Sequence, residues 1–260
     1  MVKNKVAVVM GGSQGIGKAV AMGLAREGYQ VVVNSRNPVH IELILEELHS
    51  MFPANTYRGI VGDIHVEETR NQLFKEIMNS YGRLDVLINN VPGGKPDSFF
   101  HSNNGEIIEN FSNKAITYID CMRKAFDMMK IHQHGRIVNI VGNLWKEPTE
   151  NMFTNGLINA AIINASKNIS TALAPEGITV NCINPGFIET NRYTGYINSM
   201  MKNKNISEKR ATQEVLNHIP MHRVGLPKEL ASLIIYLVSE DASYITGQQI
   251  SVDGGSIRSI

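Results

Sequence analysis

A chain of 260 residues with 43% hydrophobic content carries enough apolar surface for one large α/β domain. A formal net charge of +1 leaves no electrostatic case for nucleic acid or an anionic membrane as partner. Cys121 and Cys182 lie in apolar contexts and read as structural thiols rather than a secreted disulfide framework. The chain opens directly on a strand pattern with no leader, and no apolar run approaches the ~18 residues that span a bilayer. The expectation is a cytoplasmic protein.

Val6 to Met10 is a β-branched apolar run, as expected of a strand buried on both faces. The glycine loop Gly11-Gly12-Ser13-Gln14-Gly15-Ile16-Gly17 follows, and then a helical pattern from Lys18 to Glu27. Strand, glycine loop and helix together form a phosphate cradle. Glycines admit close backbone approach, and the helix start offers free N–H groups and a positive dipole end. The spacing G-x-x-x-G-x-G resembles the short-chain dehydrogenase/reductase family, with Met10 where that family usually carries Thr. The resemblance implies a Rossmann-type doubly wound domain over residues 1–260. Its seven-stranded parallel sheet runs in the order 3-2-1-4-5-6-7, with helices on both faces.

A second strand, Val31 to Val33, leads to Asn34-Ser35-Arg36. An acidic residue here would accept from a ribose 2′-OH and select NAD. Ser35 with Arg36 suits a 2′-phosphate instead, so NADP(H) is favoured. Asn37 to Ser50 reads as an amphipathic helix, Tyr57 to Gly62 as the third strand, Val66 to Tyr81 as a helix and Leu84 to Ile88 as the fourth strand. Asp63-Ile64 resembles the family's adenine-contacting pair. Asn89-Asn90-Val91-Pro92-Gly93 stands where the family has N-N-A-G, so Val91 and Pro92 imply an altered backbone beside the cofactor ribose. By resemblance the cofactor residues are Gly11, Ser13, Gln14, Gly15, Ile16, Gly17, Ser35, Arg36, Asp63, Ile64, Asn89, Pro185, Gly186, Ile188 and Thr190.

Glu106 to Lys130 is one long helical pattern, and Gly135 to Val141 is the fifth strand. Pro185-Gly186-Phe187-Ile188-Glu189-Thr190 matches the family's P-G-x-x-x-T, and the run from Ser239 to Gly255 matches its C-terminal signature. The pattern is most similar to the ketoacyl-carrier-protein reductases. Ungapped counting back from Pro185 places Asn155 where the family has its catalytic Tyr, Asn159 where it has Lys and Gly142 where it has Ser. Asn113 matches the family's water-holding Asn, although counting from Gly135 puts Lys114 there. Tyr and Lys four apart share one helix face, and the ammonium lowers the phenol's pKa for proton transfer. Asn155 and Asn159 hydrogen-bond but carry no charge, and Gly142 has no side chain. No tyrosine lies between Tyr118 and Tyr193, so no shift of register restores the acid.

Two amides facing a pocket suggest a site for a carbonyl or oxyanion. The segment 191–222 corresponds to the family's substrate lid, and Met200, Met201, Ile206, Val215, Leu216 and Ile219 suit an apolar ligand. Lys146, Glu147 and Glu150 follow the fifth strand as candidate substitute acids or bases. His132 and His134 form a His-x-His pair with no third metal ligand nearby. Three functions stay open: NADPH-dependent reduction of an activated C=C or C=N bond, a non-redox reaction on the reductase scaffold without cofactor, and an inactive NADP(H)-binding partner of an active reductase. The ligand expected is a small molecule, apolar with a carbonyl. Assembly as a homotetramer or homodimer is implied by resemblance alone.

Overall fold

The computed structural model describes residues 4–94 and 96–259. Seven strands carry the fold: β1 (Val6–Met10), β2 (Gln30–Ser35), β3 (Tyr57–Val61), β4 (Val86–Asn89), β5 (Gly135–Ile140), β6 (Ile178–Pro185) and β7 (Gln249–Val252). They form one sheet in the order β3-β2-β1-β4-β5-β6-β7, with parallel pairing throughout. This is the order expected from the sequence. The helices are α1 (Gly15–Arg26), α2 (Pro38–Met51), α3 (Glu67–Tyr81), α4 (Asn104–Phe111), α5 (Thr117–Met129), α6 (Phe153–Leu173), α7 (Asn191–Lys204), α8 (Glu208–Asn217) and α9 (Pro227–Val238).

The side-chain alternation of β1 shows how the sheet is sealed. Val6, Val8 and Met10 enter the core beneath α3, α5 and α6, whereas Ala7 and Val9 enter the one beneath α1, α2 and α9. A period of two on a strand covered on both faces requires apolar residues at every position. Each such side chain contributes about 1.5–3 kcal/mol relative to exposure. A third, smaller apolar cluster of Ile197, Ala211, Val215 and Ile219 joins α7 to α8. Expected and observed boundaries differ by a few residues at most of the elements. No helix among the described residues is long and apolar enough to cross a membrane.

The long helical pattern from Glu106 to Lys130 is interrupted. Between α4 and α5, residues Ser112–Ile116 form a π-helical turn, and Lys130–His132 close the element as a 3-10 turn. A π turn inserts one residue into the ladder and re-aims the side chains around it, a device frequent at functional sites.

Winding reverses between β1 and β4, which are neighbours in the sheet but distant in the chain. Ligands of open α/β sheets bind in the crevice beyond the carboxyl ends of the strands at such a switch point. Here the loops after β1, β4, β5 and β6 converge. The amide N–H groups of the asparagines at the strand ends find partners inside the protein, while Asn89 Oδ1 and Asn184 Oδ1 are buried without one among the described residues. Asn89 donates to Asn139 at 2.8 Å, Asn139 donates to Ser166 at 2.8 Å, and Asn184 donates to the Val141 carbonyl at 2.6 Å.

Candidate active site

The glycine loop is a cradle that no other residue fits at two positions. A Cβ on Gly17 would lie 2.1 Å from the Gly11 carbonyl oxygen. Gly11 has φ +63, and a Cβ there would lie 2.3 Å from the Asn90 carbonyl oxygen. Asn90 donates from Nδ2 to the Gly11 carbonyl at 3.1 Å and so clamps the loop. Gln14 caps α1 without a side-chain hydrogen bond, which leaves the first-turn N–H groups for a ligand. Gly15 faces Thr190, whose Oγ1 donates to the Ile188 carbonyl at 3.2 Å and accepts from the Tyr193 N–H at 3.4 Å. The PGFIET loop therefore abuts the glycine loop. Ser13 donates to Ser35 at 2.9 Å, and Arg36 is exposed with a loose contact to Asp63 at 4.0 Å. Gln14, Gly15, Lys18, His40 and Asn191 line a cavity of about 240 Å³ beside these residues. The free helix start, the cradle and the Ser13–Ser35–Arg36 edge fit a dinucleotide with a 2′-phosphate.

Three of the expected cofactor residues have buried side chains. Asn89 is fully buried and donates from Nδ2 to Asn139; Asn90 reaches the glycine loop with its side chain. Ile64 and Ile188 are buried core side chains, and the Ile64 carbonyl accepts from Arg70 at 2.9 Å. Pro185 ends β6, and Gly186 packs so closely that a Cβ would lie 2.7 Å from the Asp253 Cβ.

Asn155 and Asn159 share the inward face of α6, both 3% exposed. Their amides are engaged by the protein itself. Asn155 donates to the Gly94 carbonyl at 3.2 Å, and the loop comes so near that a Cβ on Gly93 would lie 2.1 Å from Asn155 Oδ1. Asn159 donates from Nδ2 to the Gly142 carbonyl at 3.1 Å and accepts at Oδ1 from Lys114 Nζ at 3.0 Å. A side chain at Gly142 would crowd Asn159, since a Cβ would lie 3.3 Å from its Nδ2.

Lys114, not Asn113, faces this cluster. The π turn turns the Lys114 side chain inward, where it is 6% exposed, while Asn113 stays half-buried with its backbone beside His65. Burial, reinforced by the Arg192 guanidinium, pushes the Lys114 ammonium down to about 7. No carboxylate pairs with it among the described residues. The Tyr118 phenol is held within the protein. It accepts from the Val91 N–H at 3.0 Å, lies against the Val91 and Ile140 carbonyls, and is raised well above its usual range by burial.

Two of the three loop candidates make contacts of their own. Glu147 accepts from the backbone N–H groups of Arg258 and Ser259 at 2.7 and 2.9 Å, which lowers its pKa, and Lys146 lies over the Trp145 ring. His134 contacts Lys5 at 3.2 Å, and no group of three metal-ligating side chains occurs among the described residues.

This geometry is that of a dinucleotide-dependent reductase fold, and the chain belongs to the short-chain dehydrogenase/reductase family. The family described as Enoyl-(Acyl carrier protein) reductase matches residues 11–256. The chain is 51% identical to the NADPH-dependent reductase BacG of Bacillus subtilis (strain 168), over 98% of this chain and 99% of that one. It is 30% identical to the 3-oxoacyl-[acyl-carrier-protein] reductase FabG of Aquifex aeolicus (strain VF5), over 97% of each chain. Among solved structures it resembles YwfH, described as an NADPH dependent reductase involved in bacilysin biosynthesis. The TM-score is 0.95 at 50% identity, with 98% of this chain and 99% of that chain covered. It also resembles L-sorbose reductase from Gluconobacter frateurii, solved with NADPH and L-sorbose, at TM-score 0.94 and 27% identity, covering 99% and 98% of the two chains.

Proposed function

We propose that this protein is an NADPH-dependent reductase of an activated C=C bond conjugated to a carbonyl in a small, largely apolar molecule. The observation that carries this reading is the Lys114–Asn159–Gly142 arrangement beyond β4 and β5. It offers the remaining N–H donors of Lys114, held in place by Asn159, to a carbonyl oxygen where we take the family's Ser, Tyr and Lys to be replaced by Gly142, Asn155 and Asn159. Direct reduction of a ketone creates a strongly basic alkoxide that needs a strong proton donor. Conjugate hydride addition places the charge on an enolate oxygen, which preorganised N–H donors stabilise.

The cofactor supplies the hydride. The glycine loop, the α1 start, Ser13, Ser35, Arg36 and Thr190 would hold it, with Ser35 and Arg36 favouring NADPH. The 51% identity to an NADPH-dependent reductase supports the same choice. We assign residues 191–222, including α7 and α8, to a substrate lid. Phe187, Tyr193 and Tyr196 pack there as one aromatic group, and Met200, Met201 and Leu216 are partly buried beside it.

The test is a panel of enones, cyclic imines and plain ketones with NADPH. Oxidation of NADPH is expected with enones. Reduction of plain ketones in preference to enones, or tight NADPH binding with no turnover across the panel, would contradict the reading.

A further inference from the structure

We propose that Lys114 donates the proton in this reaction, taking the place of the amine that the family pattern puts at position 159. The inference rests on the reading of the protein as a reductase of conjugated C=C bonds. Three observations carry it. First, the amides of the site are committed to protein partners: Asn159 bridges Lys114 and the Gly142 carbonyl, and Asn155 holds the Gly94 carbonyl. An ammonium has three N–H donors, and the structure engages one of those on Lys114 with a hydrogen bond.

Second, Lys114 is 6% exposed and lacks a counter-ion among the described residues. A buried, unpaired ammonium is costly, and such groups cluster where chemistry uses them. Third, the π turn at Ser112–Ile116 is the local irregularity that aims Lys114 across to α6. Orientation is fixed from the far side. Asn159 Nδ2 donates to Gly142, so its Oδ1 faces Lys114 Nζ. Asn159 is therefore a positioning residue for Lys114.

The charges facing Lys114 are few. Arg192 bears on it from α7, and the Tyr118 ring lies 5.9 Å away on its own helical element. The ring face favours the ammonium weakly, whereas burial and Arg192 make it easier to deprotonate, which suits a general acid working near neutral pH.

The step balances as follows. A C–H bond forms at the β-carbon, with the hydride drawn from the reduced nicotinamide. The C=C pair moves to make the enolate, and an N–H bond of the Lys114 ammonium breaks as the enolate takes up the proton. Neutral Lys114 regains a proton from water when product leaves.

The experiment compares the full-length wild type with Lys114→Met and Asn159→Asp, using NADPH and 2-cyclohexen-1-one. Lys114→Met is expected to lower kcat by about 10²–10⁴-fold, with the NADPH Kd within about twofold of wild type. The wild-type rate falls on the alkaline side with a limb near 7. Asn159→Asp, which sets a carboxylate beside Lys114, moves that limb up by about 1–3 pH units. Independently of turnover, NMR of lysines labelled at Cε is expected to show one resonance that titrates near 7. That resonance is absent in Lys114→Met and shifts upward in Asn159→Asp. Wild-type turnover retained in Lys114→Met, or an alkaline limb unmoved by Asn159→Asp, overturns the assignment while the proposed reaction stands. A wild type that turns over no enone overturns both.

Discussion

Lys114 and the glycine loop set the residue-scale behaviour. The lysine carries a proton in the unfolded chain up to its ordinary value of 10.5, whereas in the fold it loses that proton from about 7. Between these values the unfolded state binds more protons, so the Lys114 contribution makes stability rise with pH. Below about 7 both states are protonated and the full cost of burying the ammonium is felt. Lys114→Met removes that cost. Its melting temperature is expected to exceed wild type, by about 2–4 °C for each kcal/mol relieved in a chain of this size. The gain is larger at pH 6 than at pH 10. Melting curves at the two values check this, and a gain independent of pH would count against the buried charge. At the cofactor end, Gly17→Ala sets a methyl group where only 2.1 Å is free before the Gly11 carbonyl. Calorimetric titration is expected to show NADPH binding weakened by about a hundredfold or more, a loss of at least ~2.7 kcal/mol.

Much of this site was legible in the chain and some was not. The glycine spacing and the PGFIET run pointed to loops that the fold does bring together at Gly15 and Thr190. The pair Asn155 and Asn159 followed from counting back from Pro185 under the family resemblance, and their shared face from the i, i+4 spacing. What they touch did not, because partners such as Gly94 and Gly142 come from other strands' loops. Lys114 was ambiguous with Asn113 because a π turn shifts the register by one residue, and no residue in Ser112–Ile116 announces such a turn. The different surroundings of Asn89 and Asn90 were hidden for a related reason. Successive residues at a strand end point to opposite sides, and the chain alone does not say which one meets the loop.

At the scale of elements, Tyr118 ties α5 to the loops after β4 and β5 through one hydroxyl. Tyr118→Phe leaves the buried Val91 N–H without its acceptor, which costs about 1–3 kcal/mol. Urea unfolding is expected to show that loss as a lower midpoint at unchanged slope. The Pro92 departure is compatible with this tie, since Val91 keeps its own N–H bonded. Arg70 does similar work between α3 and α5. It pairs with Asp120 at 2.6 Å and donates to the Ile64 and His65 carbonyls at 2.9 Å. Asp120→Asn, which breaks a mostly buried pair, is expected to cost about 3–5 kcal/mol in the same measurement.

At the scale of the molecule, the two apolar layers on either face of the sheet make one sealed body, and the cysteines report on it. Cys121 and Cys182 are buried, and burial raises their thiols to about 12 and about 11. Thiolate is the reactive form, so neither is expected to react with a disulfide reagent at pH 8 until the protein unfolds. The labelling rate is then expected to follow the global unfolding curve; fast labelling of the native state would show a local opening around α5 or β6. The seven-stranded order and both helical layers were expected in full from the family motifs, because a parallel sheet with right-handed crossovers leaves little topological freedom.

The central claim is that this fold reduces conjugated C=C bonds without a tyrosine acid. The most direct measurement follows NADPH absorbance with 2-cyclohexen-1-one and with cyclohexanone under matched conditions, and identifies the product of each. The account predicts cyclohexanone as the product from the enone, with turnover at least about a hundredfold faster than on cyclohexanone itself, the scale that a lost general acid costs. Formation of the allylic alcohol, or equal turnover of the saturated ketone, would contradict it.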